Sequence, residues 1–214
     1  MRIQSIQKAR KGGRYAVSFD DGTKLVLSKE VLIDFGLRRN DEIAEEMFSK
    51  IQDAQSFRDA YFAAGRLLNY RMRTRTELDQ RLRQKGYSQE IVERVIGKLG
   101  QIGLVDDSRF AEAFVATKIA SKPVGRRELE RGLREKGVAK EAAESAISQV
   151  RDEETQLSLA LAAAESKLRS LERFEPAKRR EKLTAFLARR GFAWDIIKLV
   201  NRRVFKGDID AVDL

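Results

Sequence analysis

The chain has 214 residues, with 43 Lys and Arg against 33 Asp and Glu, a formal charge of +10, and neither cysteine nor histidine. That excludes disulfides, thiolate and imidazole metal sites, serine or cysteine triads and redox dithiols, and the cationic excess points to a polyanion or an acidic partner. With 42% hydrophobic residues the chain can bury real cores, whereas no apolar run approaches the ~18 residues of a membrane span. The N-terminus lacks the apolar core of a signal peptide, so the cytoplasm is the expected compartment.

The first expected elements are short strands. Ile3 to Lys8 is followed by Gly12–Gly13, the alternating run Arg14–Tyr15–Ala16–Val17–Ser18–Phe19, an Asp20–Asp21–Gly22 turn, and Thr23–Lys24–Leu25–Val26–Leu27. An Asp-Gly pair between two β-rich runs is a hairpin signal, and the three runs predict a meander too small to stand alone. Ser28 is placed to cap a short helix that ends at Gly36. From Asn40 onward the pattern is helical. The two prolines, Pro123 and Pro176, are expected at helix starts.

The helical part repeats. A shift of 51 brings Glu77–Leu78, Leu82 and Lys85–Gly86–Tyr87 onto Glu128–Leu129, Leu133 and Lys136–Gly137–Val138. A further 54 brings Leu129, Leu133 and Lys136–Gly137–Val138 onto Leu183, Leu187 and Arg190–Gly191–Phe192. Each unit reads as a first helix (Tyr61–Leu68, Phe110–Ile119, Leu157–Leu168), a short second helix with a Leu pair on one face, a closing Gly, and a third helix. The pairs Ile91/Val95, Ala142/Ala146 and Ile196/Val200 of the third helices cover the Leu pairs. Thr74 with Glu77 is a candidate capping box, and Asp107 is expected to cap the helix that opens the middle unit. Phe110 and Phe114 are core residues. The expected fold is mainly α: three tandem three-helix repeats in an elongated, curved array after a small β-meander. The divisions fall at residues 1–39, 40–105, 106–150, 151–205 and a tail, 206–214.

Two runs carry a family resemblance: Arg75–Thr76–Glu77–Leu78 through Leu82–Arg83–Gln84–Lys85–Gly86–Tyr87, and Gly103–Leu104–Val105–Asp106–Asp107–Ser108–Arg109–Phe110–Ala111–Glu112–Ala113–Phe114–Val115. Correctly spaced and combined with three tandem three-helix units, they resemble the RecX family of bacterial recombination regulators over residues 60–205. The N-terminal meander resembles an extension found in some members. Carboxylates interleave with Lys and Arg at helix-surface spacing and there is no nucleotide-binding glycine pattern, so a non-enzymatic protein without cofactor or metal is expected; the resemblance implies its function. It would bind the RecA recombinase filament on DNA and curb it, in DNA repair, recombination and the SOS response. Lys182 departs from the pattern, standing where the first two units have Glu77 and Glu128, so a different helix start is expected there.

The basic residues are the candidate binding surface. Arg75, Arg126 and Arg180 are register equivalents. In the first two units that position is the first turn of a helix, where a cation opposes the macrodipole at a cost of ~0.3–1 kcal/mol. Such a residue either serves a phosphate or acidic partner or is ordinary solvated surface. Lys85, Lys136 and Arg190 are equivalents in a last turn, where the macrodipole favours a cation. Arg71, Arg73, Arg83, Arg127, Arg131, Arg134, Lys178, Arg179 and Arg189 thicken the same regions. At 100° per residue the charges of one second helix flank both sides of its buried face, so any groove must be built between units. Trp194 replaces the polar Gln89 and Lys140 of its equivalents. It is either covered by the C-terminal tail or a partner contact. Asp208, Asp210 and Asp213 read as a solvated end. The expected ligands are the RecA filament and single- and double-stranded DNA without sequence preference, bound by a monomer. The rival is a sequence-specific transcriptional regulator using the helix pairs as helix-turn-helix units. It is opposed by the acidic starts Glu90, Glu141 and Asp195 of the third helices. A pure protein scaffold would show no DNA affinity at low salt.

Overall fold

The computed structural model describes residues 1–9 and 12–205. Strands β1 (Ile3–Lys8), β2 (Arg14–Phe19) and β3 (Lys24–Ser28) form the expected antiparallel meander in that order. Gly22 turns the hairpin at φ +85°, and the Asp21 carboxylate accepts the Thr23 N–H at 2.9 Å. Helix α1 (Lys29–Asp34) starts on Ser28, whose hydroxyl accepts from the Val31 N–H, and the chain turns at Gly36 with φ +61°. One sheet face is apolar. Ile3, Val17, Phe19 and Leu27 pack with Val31 and Leu32 of α1 and with Ile43 and Ile51. The sheet is thus covered, as so small a meander requires.

Helix α2 (Glu45–Tyr70) is 26 residues long, well beyond the Tyr61–Leu68 stretch given by the repeat register. Two acidic residues, Glu45 and Glu46, favour its start through the macrodipole. Its first half supplies Ile51 to the core under the sheet, and its second half buries Ala60, Ala63 and Ala64. These small side chains allow the close approach of α4 (Gln89–Gln101), against which α2 packs. Between them in sequence runs α3 (Arg75–Arg83), with Leu78 and Leu82 fully buried.

The remaining helices are α5 (Asp107–Ser121), α6 (Arg126–Glu135), α7 (Lys140–Ile147), α8 (Glu153–Leu168), α9 (Pro176–Arg189) and α10 (Trp194–Val204). The chain forms two compact units. The first is Met1–Met72 with Leu78–Leu104, among the described residues; the second is Arg73–Glu77 with the described residues from Val105 onward. Within the second, α5–α7 enclose one core around Leu129 and Leu133, and α8–α10 enclose a separate one around Leu183, Leu187 and Phe192. Of the third-helix pairs only Ala142 is less than fully buried.

The glycine after each second helix does the same job three times. Gly86, Gly137 and Gly191 have φ of +89°, +71° and +80°. The following N–H, on Tyr87, Val138 or Phe192, then reaches back to the carbonyl of Leu82, Leu133 or Leu187. Positive φ costs a residue with a Cβ about 1–2 kcal/mol, so glycine is the economical choice.

Three local expectations need correction. The cap of α5 is Asp106, which accepts from the N–H groups of Ser108 and Arg109; Asp107 is the first helical residue and its carboxylate points elsewhere. Pro176 does open α9. Pro123 instead lies in the loop before α6, three residues short of its start. Of the proposed capping box, Thr74 accepts the Glu77 N–H at 3.1 Å, but the Glu77 carboxylate meets Lys136 at 2.7 Å. The tail aspartates Asp208, Asp210 and Asp213 fall outside the described residues.

Candidate nucleic-acid interface

Two features of the second unit organise its charges: the joints between repeats and a cationic groove. The joints fix which cations are occupied. Thr74 Oγ1 donates to the Lys136 carbonyl at 2.7 Å and Thr76 Oγ1 to the Gly137 carbonyl at 3.3 Å. At the register-equivalent positions the Gly125 N–H donates to the Arg190 carbonyl at 2.8 Å and the Arg127 N–H to the Gly191 carbonyl at 3.2 Å. In both joints, then, the Lys/Arg-Gly turn that closes a second helix seats on the start of the preceding second helix. The following repeat also caps that start. The Asp107 carboxylate accepts the Arg75 N–H at 2.9 Å, and Gln156 Oε1 accepts the Arg126 N–H at 3.2 Å. The seating is tight. A Cβ on Gly137 would lie 2.1 Å from Thr76 Oγ1, and one on Gly191 would lie 2.4 Å from the Glu128 backbone nitrogen.

This geometry resolves the misplaced cations. Arg75 does sit in the first turn of α3, but that turn also holds the Asp107 carboxylate, which offsets the unfavourable position. Arg126 is half-buried and pairs with Glu130 one turn on, at 2.5 Å. Arg180 is exposed in the interior of α9, because α9 begins one turn earlier than α3 and α6. The set expected at helix C-termini divides as well. Lys136 forms its ion pair with Glu77, Arg190 donates to the Pro123 carbonyl at 3.1 Å, and Lys85 is exposed.

The other candidates are scattered. Arg71 is exposed and donates to the Met72 carbonyl; Arg73 is half-buried. Arg83 pairs with Asp79 at 3.8 Å and Arg131 with Glu128 at 2.5 Å. Arg127 and Arg134 are exposed. Arg179 closes the turn before α9 by donating to the Phe174 and Glu172 carbonyls. Trp194 is 56% exposed at the first position of α10, with the Lys198 ammonium 5.9 Å from its ring centroid. The tail residues invoked to cover it fall outside the described residues.

Arg189 is the candidate that the tertiary structure surrounds with like charge. It lines two adjoining grooves. One also holds Lys118 and Lys122 of the α5 end and Arg190. The other holds Lys167, Arg173 and Lys182. Together these grooves carry seven cations and two carboxylates. Both carboxylates are already engaged, Glu128 by Arg131 and Glu181 by Lys178 at 2.7 Å. The hydrogen bond and charge of Lys178 hold the Glu181 carboxyl below its ordinary pKa, so it stays ionised and paired.

Phenylalanines hold the cations in place. Lys118 lies 5.6 Å from the Phe114 ring centroid, Arg190 and Lys167 lie 4.9 and 5.7 Å from that of Phe186, and Lys182 and Arg173 lie 4.6 and 5.0 Å from that of Phe174. Each such contact is worth about 0.5–1 kcal/mol at an exposed site and limits the freedom of a long side chain. The result is a track of oriented donors suited to phosphates, with little bare aromatic surface for base stacking. Reading the sequence missed Lys118, Lys122, Lys167, Arg173 and Lys182 as members. The only local signal was the spacing Phe114/Lys118 and Phe186/Arg190, four residues apart on a helix.

Among the described residues no helix is long and apolar enough to cross a membrane. The family models for the first, second and third three-helix domains of RecX match residues 60–99, 106–147 and 154–200. The chain is similar to the regulatory protein RecX of Leuconostoc mesenteroides subsp. mesenteroides, 28% identical over 100% of this chain and 79% of that one. The regulatory protein RecX of Pelodictyon phaeoclathratiforme is 40% identical over 64% of this chain and 83% of its own length. A crystal structure of a regulatory protein RecX superposes with TM-score 0.74 at 27% identity, covering 93% of this chain and 98% of that one. One of RecX from Lactobacillus salivarius gives 0.64 at 25% identity over 70% and 97%. Three successive three-helix modules in the RecX order, with relatives matched along nearly the whole length, make this chain a member of the RecX family of regulatory proteins.

Proposed function

We propose that this protein binds the RecA–DNA filament in the cytoplasm as a monomer and restrains RecA during DNA repair and recombination. The observation that carries the reading is the cationic track of the second unit in a chain of the RecX family. Seven cations lining two grooves that share Arg189 neutralise phosphates without reading bases. DNA binding is therefore tolerant of sequence, open to single and double strands, and steeply weakened by salt through counterion release. The other predicted arginines, Arg71, Arg73, Arg75, Arg83, Arg126, Arg127, Arg131, Arg134, Arg179 and Arg180, together with Trp194, contribute to filament contact outside the track. Restraint follows if one small protein spans several filament subunits or occupies the growing end.

The test mixes the protein with RecA, ATP and single-stranded DNA. ATP hydrolysis, strand exchange or filament length falls at equimolar protein; no change in any of the three overturns the proposal. The helix-turn-helix reading is weakened by exposed Glu90, Glu141 and Asp195 at the third-helix starts, where they repel phosphate.

A further inference from the structure

The three repeats contain three Lys/Arg-Gly turns and three second-helix starts, but among the described residues only two joints are made. Lys136–Gly137 seats on the start of α3, and Arg190–Gly191 seats on the start of α6. That leaves one turn, Lys85–Gly86, and one start, that of α9. The start of α9 is closed. The positions equivalent to Gly125, Arg127 and Glu128 are Arg179, Glu181 and Lys182, all inside α9 and preceded by the extra turn that Pro176 begins. Lys182 also reverses the charge that the Lys136 ammonium meets at Glu77. A second copy of this chain therefore cannot receive the Lys85–Gly86 turn there.

The Lys85–Gly86 turn is open. Both residues are exposed, Lys85 makes no ion pair among the described residues, and a Cβ built on Gly86 would have nothing within 4 Å. Yet its backbone has the same form as its two seated equivalents, with Gly86 at φ +89° and the Tyr87 N–H reaching back to the Leu82 carbonyl. The seated copies show what such a turn receives. Its two carbonyls accept from a hydroxyl or backbone N–H at a helix start, and its cation can meet a carboxylate in the first turn of that helix.

We propose that Lys85–Gly86 is a docking element for a helix N-terminus of the RecA filament's protein component, one with a small or hydroxyl residue at its start and a carboxylate in its first turn. This rests on the RecA-filament reading above. The contact is separate from the cationic track, so it adds protein recognition to phosphate attraction.

Gly86→Asn is the decisive substitution. Asn tolerates positive φ, and there is room for it in the free protein. In a joint, however, its Cβ would stand where those of Gly137 and Gly191 would meet partner atoms at 2.1 and 2.4 Å. Full-length chains carrying Gly86→Asn, Lys85→Glu or Lys85→Arg are compared with the unmodified chain. The readouts are thermal unfolding, binding to free single-stranded DNA, and binding to RecA filaments on the same DNA. Expected is an unfolding midpoint within about 4 °C of the original for Gly86→Asn, unchanged binding to free DNA, and filament binding weakened about tenfold or more for Gly86→Asn and Lys85→Glu. Lys85→Arg keeps the charge and retains filament binding; an arginine, Arg190, already occupies this position in the second joint, where it donates to the Pro123 carbonyl. Undiminished filament binding by Gly86→Asn overturns the proposal, whatever Lys85→Glu does. So does an equal loss toward filament and free DNA. If the unmodified chain does not bind the filament at all, the proposed function falls and this inference falls with it.

Discussion

Gly191→Ala and Gly86→Ala make the same chemical change at equivalent backbone positions, with φ of +80° and +89°, so both incur the left-handed penalty of about 1–2 kcal/mol. Only Gly191 is seated. A Cβ there would lie 2.4 Å from the Glu128 backbone nitrogen and 2.8 Å from its Cβ, atoms that cannot swing aside. The α9–α10 turn must move off the start of α6. That strains the packing by about 1–3 kcal/mol and loosens the hydrogen bonds from Gly125 and Arg127, each worth about 1 kcal/mol. The expected excess for Gly191→Ala over Gly86→Ala is about 3 kcal/mol, a further fall in unfolding midpoint of roughly 6–12 °C for a chain of this size. Gly125→Ala isolates the steric part, since Gly125 has φ −81° and its Cβ would meet the Gly191 carbonyl oxygen at 2.3 Å. Thermal and urea unfolding of the three variants provide the readout. Equal destabilisation by Gly86→Ala and Gly191→Ala would refute the seated joint.

Neutralising Lys122, Lys182 and Arg189 to Gln should barely change stability. It should weaken DNA binding and flatten the dependence of log affinity on log salt by up to about 2 for single strands, measured by fluorescence anisotropy; an unchanged slope would remove the track from the DNA contact. Leu82→Ala, Leu133→Ala or Leu187→Ala deletes a fully buried side chain from a small module core and should cost about 2–5 kcal/mol in urea unfolding. With no histidine to titrate, stability should be flat from neutral pH down to the ordinary carboxylate range. The Asp152, Glu181 and Glu42 carboxyls are held below their ordinary values of 3.8, 4.5 and 4.5 by the Thr155 N–H, by Lys178 and by Arg2 respectively. Their contribution is complete above those values and is lost as pH falls through the lowered ones; a midpoint that drops already between pH 8 and 6 would contradict this.

Each module was legible from the chain alone because its determinants are local. The Leu78/Leu82 pair and its two copies, the glycines at positive φ, the Ser28 cap and the Asp-Gly hairpin depend on spacing over a few residues and on backbone sterics, which the sequence states directly. What lay beyond that reach were the matters settled between neighbouring groups or distant segments. Asp106 and Asp107 are both good caps by type; Asp107 is taken up by the Arg75 N–H, 32 residues away. Arg190 donates to Pro123 across 67 residues. Among 43 Lys and Arg, no periodicity within one helix distinguishes the seven that line the two adjoining grooves, because one groove exists only where the end of α5 in one repeat meets the end of α9 in the next, and the other only where the end of α8 and its following turn meet α9. Charge sign and helical face are properties of the sequence. Which charges become neighbours is decided by how separate modules seat on one another, and here that seating depends on glycines small enough to let backbone meet backbone.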